Sequence, residues 1–181
     1  MKKKNTVFHD MIQPMIVLVL ICLVVSALLG FTNSVTAPIV EQHKQEEAAR
    51  VRKEVLGIDA GSEAAFTEID CDTEALGIES AFREDSGRGY VVTARNKGYG
   101  DGGVTVTVGL DAEGKVIGLS ADVTSETKGV GSKTGEKSFT DRFLGLTGNC
   151  DAIDGITGAT YSSKAVKAGV NAALAAYAAI H

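Results

Sequence analysis

A run of seventeen residues without a charge, Met15 to Phe31 (MIVLVLICLVVSALLGF), constrains this chain more than any other stretch. Met11 and Ile12 extend it at the front. Wound as a helix, 11–31 would rise about 32 Å, enough to cross a hydrocarbon layer about 30 Å thick. A secretory signal peptide is the competing reading. Its apolar region usually spans only about 7–15 residues and ends at a small-residue cleavage site. Here Ala37 follows Val35 and Thr36, but Pro38 comes directly after it and fits cleavage poorly. The segment therefore reads as a retained transmembrane helix. Lys2, Lys3 and Lys4 precede it and few charges follow it closely, so residues 1–10 are expected in the cytoplasm. Everything after about Thr32 is then expected outside.

Three of the 18 basic residues and one of the 23 acidic residues precede Thr32, leaving 15 basic against 22 acidic beyond it. So acidic a body offers no footprint for a polyanion, and nucleic acid is excluded as a partner. A chain facing out can carry disulfides. Cys71 and Cys150 are the candidates, because Cys22 lies inside the span; their separation in sequence leaves both pairing and non-pairing open. His9, His43 and His181 stand near the two ends and no Cys-x-x-Cys occurs, so no metal centre is expected.

Beyond the span, Val40 to Leu56 is rich in helix formers and Gly57 supplies a stop, which makes 32–57 a juxtamembrane helix or linker. Residues 58–77 show little periodicity. Strand patterns follow at 79–84 and 90–95, around the turn-rich 85–89, and again at 103–110 and 115–124, joined by the short connection 111–114. This predicts an antiparallel sheet of about four strands. A short helix is expected at 138–146, with Phe139, Phe143 and Leu146 on one face. A long one is expected at 162–180, where Val166, Val170, Leu174 and Tyr177 form one stripe. The fold class is α+β: one N-terminal transmembrane helix, then an antiparallel-sheet domain over 58–181 with flanking helices.

Several familiar signatures fail on context. Gly98-Tyr99-Gly100-Asp101-Gly102-Gly103 satisfies G-x-G-x-x-G, but a strand follows where a helix should open, so a turn between strands is the better account. There is no Gly-Lys-Ser/Thr for a phosphate loop and no histidine placed deep in the fold for a hydrolase triad, and Tyr161 stands three residues before Lys164 where a Ser-x-x-Lys nucleophile would need serine. No catalytic residue is assigned. What remains is Asp154-Gly155-Ile156-Thr157-Gly158-Ala159-Thr160-Tyr161-Ser162-Ser163, where a loop feeds the last helix. Small residues and free first-turn amides suit an anion there, and Thr160, Ser162 and Ser163 add hydroxyls. The same residues also suit a plain N-terminal cap.

Asp154-x-x-Thr157-Gly158-Ala159-Thr160 resembles the flavinylation motif D-x-x-[ST]-G-A-[ST] of the FMN-binding domain family. Glu126-Thr127-Lys128-Gly129-Val130-Gly131 resembles the E-T-P-G-L-G loop of that family, with Lys128 for proline and Val130 for leucine. The glycine turn at Gly98–Gly100 and the strands after it also match, so the likeness covers roughly residues 90–176. The resemblance implies that Thr160 carries FMN through a phosphoester, made outside the cytoplasm by a Mg²⁺-dependent transferase with FAD as donor. It implies positioning or recognition roles for Asp154, Thr157, Gly158, Ala159 and Ser162, and a flavin-facing loop at Glu126, Thr127, Gly129 and Gly131. One span plus one such domain most resembles the G subunit of Rnf-type ion-translocating ferredoxin:NAD⁺ complexes. The related C subunit of Na⁺-translocating NADH:quinone reductase comes second, followed by a flavinylated domain serving an extracytoplasmic reductase, and then a non-redox scaffold. The implied role is an electron carrier working with other membrane subunits, not a stand-alone enzyme.

Overall fold

The computed structural model describes residues 12–59 and 61–180; His9, Asp10, Met11, His181 and the three lysines before the span lie outside the described residues. Packing divides the chain into two units, 1–47 and 48–181.

The first unit is helical from Gln13 onward. Helix α1 (Gln13–Val55) takes in the uncharged run, and no side chain from Ile12 to Phe31 is buried. A helix that is apolar all round and wholly uncovered belongs in lipid. By length and composition it is a candidate transmembrane helix. Sequence reading places a linker or second helix after residue 31, whereas α1 is continuous to Val55 with Pro38 inside it. Proline removes one amide from the ladder, and the neighbouring hydroxyls stay within the helix. Thr32 Oγ1 donates to Leu28 O at 2.9 Å, Ser34 Oγ to Phe31 O at 2.8 Å and Thr36 Oγ1 to Thr32 O at 2.9 Å. None of these three polar groups then needs water, as a membrane setting demands.

The second unit begins with the last two turns of α1. The stop expected at Gly57 is there: its φ is +65°, its amide donates to Glu54 O at 3.0 Å, and the Ile58 amide donates to Lys53 O at 2.9 Å. This is the Schellman pattern that closes a helix on a left-handed glycine. Five strands follow, β1 (Phe66–Glu68), β2 (Ser80–Glu84), β3 (Gly89–Asn96), β4 (Val104–Asp111) and β5 (Val116–Asp122). They form one antiparallel meander in chain order. The four strands read from the sequence are β2 to β5. The fifth, β1, pairs Thr67 with Arg83 at the sheet edge. Three residues are too few for an alternating pattern to show in sequence. Helix α2 (Thr73–Leu76) completes that stretch. The helix expected at 138–146 is broken into α3 (Lys137–Thr140) and a 3₁₀ turn, Asp141–Phe143, after another 3₁₀ turn at Gly131–Gly135. Its face is as expected. Phe139 and Phe143 are fully buried edge to face, 5.3 Å apart, and Leu146 packs beside them.

Helix α4 (Thr160–Ile180) covers one face of the sheet. Val166, Val170, Ala173 and Ala176 meet Val92, Ala94, Val106, Val108 and Leu110 in the main core, with Leu174 and Tyr177 at its margin. Each such fully buried Val or Leu contributes roughly 1.5–3 kcal/mol. The alternate side chains of the strands point the other way, and there Val91 and Phe82 meet Val55, Leu56 and Ile58. The Arg52 guanidinium lies over the Phe82 ring at 3.7 Å. Cys71 and Cys150 are unbonded. Cys150 is buried with Sγ 3.1 Å from Asn171 Oδ1, and burial pushes its thiol pKa up, so it acts as a core side chain.

Covering the second face depends on a gap in the strands. Gly109 and Gly118 are direct cross-strand partners, and the Val55 carbonyl presses where their side chains would stand. Isolated glycines inside strands mark such a close backbone approach. Gly109→Ala should therefore lower the unfolding free energy of the chain in detergent by about 1–3 kcal/mol through overpacking. Gly61→Ala, where no atom lies within 4 Å, should stay within about 0.5 kcal/mol of wild type. Urea unfolding followed by circular dichroism measures both.

Candidate functional site

Three connections meet at one end of the sheet: the turn after β3 (98–103), the loop after β5 (124–131) and the loop entering α4 (154–160). The Glu126 carboxylate joins them. It is buried and accepts from the Tyr99 amide at 3.1 and 3.2 Å, from the Gly100 amide at 3.0 Å and from the Ser162 hydroxyl. Burial pushes its pKa up; the three donors outweigh that, and the carboxyl sits below its ordinary value. Glu126 is therefore ionised and its charge is spent on these donors.

The entry to α4 is equally specified. The Ala159 amide donates to Ile156 O at 2.9 Å, closing a turn in which Gly158 takes φ +84°. A positive φ at the third position of such a turn calls for glycine. The Ile156 amide donates to Ser163 Oγ at 3.0 Å, and the Ser163 amide to Ala159 O at 2.8 Å. Three hydroxyls thus crowd the first turn, and two are committed: Ser162 to Glu126 and Ser163 to the loop, both buried. Thr160 is exposed. The loop 126–131 is shaped likewise, with the Val130 amide donating to Thr127 O at 3.1 Å and Gly129 at φ +79°.

A pocket of about 310 Å³ opens here, within the range of small-molecule sites. Of the residues expected from sequence, Thr160, Gly158, Ala159, Ser162, Glu126, Thr127 and Gly131 line it. Asp154, Thr157 and Gly129 do not; all three are exposed nearby, and the Asp154 carbonyl accepts from Arg142 Nη1 at 3.4 Å. Sequence reasoning passed over Tyr99 and Tyr161 as site residues, yet both line the pocket. A signal was present. Tyr161 falls off the stripe of Val166 and Val170, and Tyr99 is the one large side chain among the glycines of its turn.

The donor set fits a phosphate ester. Helix α4 has no acidic side chain in its first turn. The amides of Thr160, Tyr161 and Ser162 have no acceptor within the helix, and its positive end favours an anion. Gly131 lets the loop lie against α4, because a Cβ there would stand 2.6 Å from Ser162 Oγ and 2.9 Å from Glu126 Oε2.

The FMN-binding domain family matches residues 98–175, which hold the three connections and most of α4. The fold is that of the C subunit of the Na⁺-translocating NADH-quinone reductase from Parabacteroides distasonis (TM-score 0.56, 16% identity, 77% of this chain and 94% of that one). The G subunit of the Na⁺-translocating ferredoxin:NAD⁺ oxidoreductase complex from Acetobacterium woodii is 30% identical, covering 90% of this chain and 89% of the relative. The proton-translocating counterpart from Clostridium ljungdahlii is also 30% identical, over 87% and 86%. The chain belongs to the G-subunit family of the ion-translocating ferredoxin:NAD⁺ oxidoreductase (Rnf-type) complexes.

Because the Glu126 pKa is lowered from 4.5, its contribution to stability is present above that value and drains away as pH falls through the folded-state pKa. Glu126→Gln should be less stable than wild type at neutral pH by about 1–3 kcal/mol, since its amide cannot accept from all three donors. The gap should narrow on acidification below pH 4.5. Thermal unfolding across that range checks both points.

Proposed function

We propose that this chain is the membrane-anchored electron carrier of an ion-translocating ferredoxin:NAD⁺ oxidoreductase complex, with FMN joined to Thr160 through a phosphoester. The observation that carries the attachment is the disposition of the first-turn hydroxyls: Ser162 and Ser163 are buried and bonded, while Thr160 stands exposed on the pocket wall. Family membership supports the complex and the membrane setting. The FMN-binding domain match supports the cofactor.

In maturation, the Thr160 Oγ–P bond forms as the pyrophosphate bond of FAD breaks. AMP departs and the hydroxyl proton passes to the transferase. Asp154 and Thr157, exposed beside the pocket, are suited to recognition by that enzyme. Bound FMN supplies exchange of one or two electrons. The chain's own groups then hold the phosphate at the start of α4, fix the pocket floor through Glu126 and keep the site at one end of a rigid sheet. Covalent attachment makes binding intramolecular, at an effective concentration on the order of millimolar for a short link. The pocket can then stay shallow and open for electron exchange without losing its cofactor.

The proposed topology places residues 1–10 in the cytoplasm, the span at 11–31, helix at 32–57 and the FMN-binding domain, 58–181, outside. The lysine-rich N-terminus supports this direction.

Co-produced with a flavin transferase, the wild-type chain should keep flavin fluorescence in a denaturing gel. The peptide spanning Asp154 to Lys164 should gain the mass of FMN less one water. Thr160→Ala should lose both signals and Thr160→Ser should keep them; an adduct surviving in Thr160→Ala would reject the attachment. Asp154→Ala should cut flavinylation at least tenfold in the same gel while the unfolding midpoint of the chain stays unchanged.

A further inference from the structure

Residues 151–159 form no helix or strand, yet the backbone leading to Thr160 is held almost residue by residue. Ser163, Lys167 and Asn171 stand four apart on α4 and so make one polar row along the helix. The loop runs along that row in the opposite direction. The Ile156 amide donates to Ser163 Oγ at 3.0 Å. Lys167 Nζ donates to Ile153 O at 2.9 Å and to Asp151 O at 3.0 Å. The Cys150 amide donates to Asn171 Oδ1 at 2.9 Å. From another side, Arg142 Nη1 reaches the Asp154 carbonyl, and its Nε donates to Ser138 O at 3.0 Å. Gly155 allows the close approach, because a Cβ there would stand 3.1 Å from Ser163 Cβ.

Two features separate this row from ordinary packing. Ile153 and Ile156 already rest against the main core, and that contact holds the segment down. Apolar contact is non-directional, so it does not fix which residue of the loop faces which turn of the helix. Bonds to successive backbone groups do fix it, and those from the Lys167 ammonium are charge-assisted and the strongest of the row. The second feature is the side chain left over. Asp154 lies between the rungs at Ile153 and Ile156, exposed, and among the described residues none donates to its carboxylate.

We propose that Lys167 is a positioning residue for flavinylation. By tying Asp151 and Ile153 to α4, it sets the Asp154 carboxylate at a fixed place relative to the Thr160 hydroxyl, so that the transferase meets both together. This rests on the attachment at Thr160 and on recognition of Asp154. Thr160 and Lys167 are seven residues apart on one helix, about 10 Å of rise, so acceptor and clamp share a rigid element. Without the ammonium, the two carbonyls turn to water and only a fraction of chains present Asp154 in register. An enzyme that binds that fraction alone has its KM raised by the inverse of the fraction. The step at the hydroxyl itself is untouched.

The full chain, purified in detergent without flavin, is given FAD, Mg²⁺ and purified flavin transferase. Initial rates of adduct formation are then read by mass and in-gel fluorescence over a range of chain concentrations. Lys167→Met should raise KM about tenfold and leave kcat unchanged. Lys167→Arg should restore KM to near the wild-type value, since a guanidinium can donate to both carbonyls. Gly109→Ala, destabilised on the other face of the sheet, should keep the wild-type KM, which separates position from stability. In an Asp154→Ala background, Lys167→Met should leave kcat/KM unchanged, because the lysine acts through Asp154. A wild-type KM in Lys167→Met, or its full loss repeated on top of Asp154→Ala, would overturn the positioning role and leave the attachment standing. Asp154→Ala flavinylated as fast as wild type would overturn the recognition, and the positioning role with it. A wild-type chain that gains no adduct would overturn the attachment as well.

Discussion

The site is held together by a carboxylate taken out of water. Glu126 is buried at the meeting of three loops, and an ionised carboxylate in that position is costly unless its lone pairs are filled. Two backbone amides from the turn after β3 and one hydroxyl from the first turn of α4 fill them. Hydrogen bonds to a charged acceptor are about twice as strong as neutral ones. Loops far apart in sequence are thereby locked into one rim. The same bonds decide which hydroxyl remains available: with Ser162 committed to Glu126 and Ser163 to Ile156, Thr160 is left facing the pocket.

The scaffold under that rim is a sheet covered on both faces, by α4 on one side and by Val55, Leu56 and Ile58 on the other. Both covers need close approach. On the second face this is achieved by removing side chains at Gly109 and Gly118, where the Val55 carbonyl enters. A rigid double-faced sheet with its functional loops gathered at one end suits a protein that must present a cofactor at a fixed place. The pocket at that end, about 310 Å³, is edged by the exposed Tyr99 and Tyr161.

Legibility in the sequence followed the length and regularity of each element. The uncharged run, strands β2 to β5 and the stripe on α4 could all be read, because each repeats its period several times. Strand β1 and helix α2 could not: they have three and four residues, and no period shows over so short a span. The Phe139–Phe143 pair showed which side chains turn inward but not the break between α3 and the 3₁₀ turn, because apolar spacing marks the buried side chains and carries no signal for a single tightened turn. The end of the uncharged run suggested a boundary after residue 31, yet one helix runs on through Pro38, since a single missing amide does not stop a segment otherwise rich in helix formers.

By itself, the sequence determined the membrane-length helix, the antiparallel sheet and the motif around Thr160, because each is a local pattern of charge, alternation or small residues. Tertiary structure alone decided which hydroxyl of that motif is free, and that Glu126 joins the loops instead of facing solvent. It also decided that Tyr99 and Tyr161, 62 residues apart, share one pocket wall. Those are relations between distant segments. They are set by how buried polar groups find partners once the sheet has closed, and no local period encodes them.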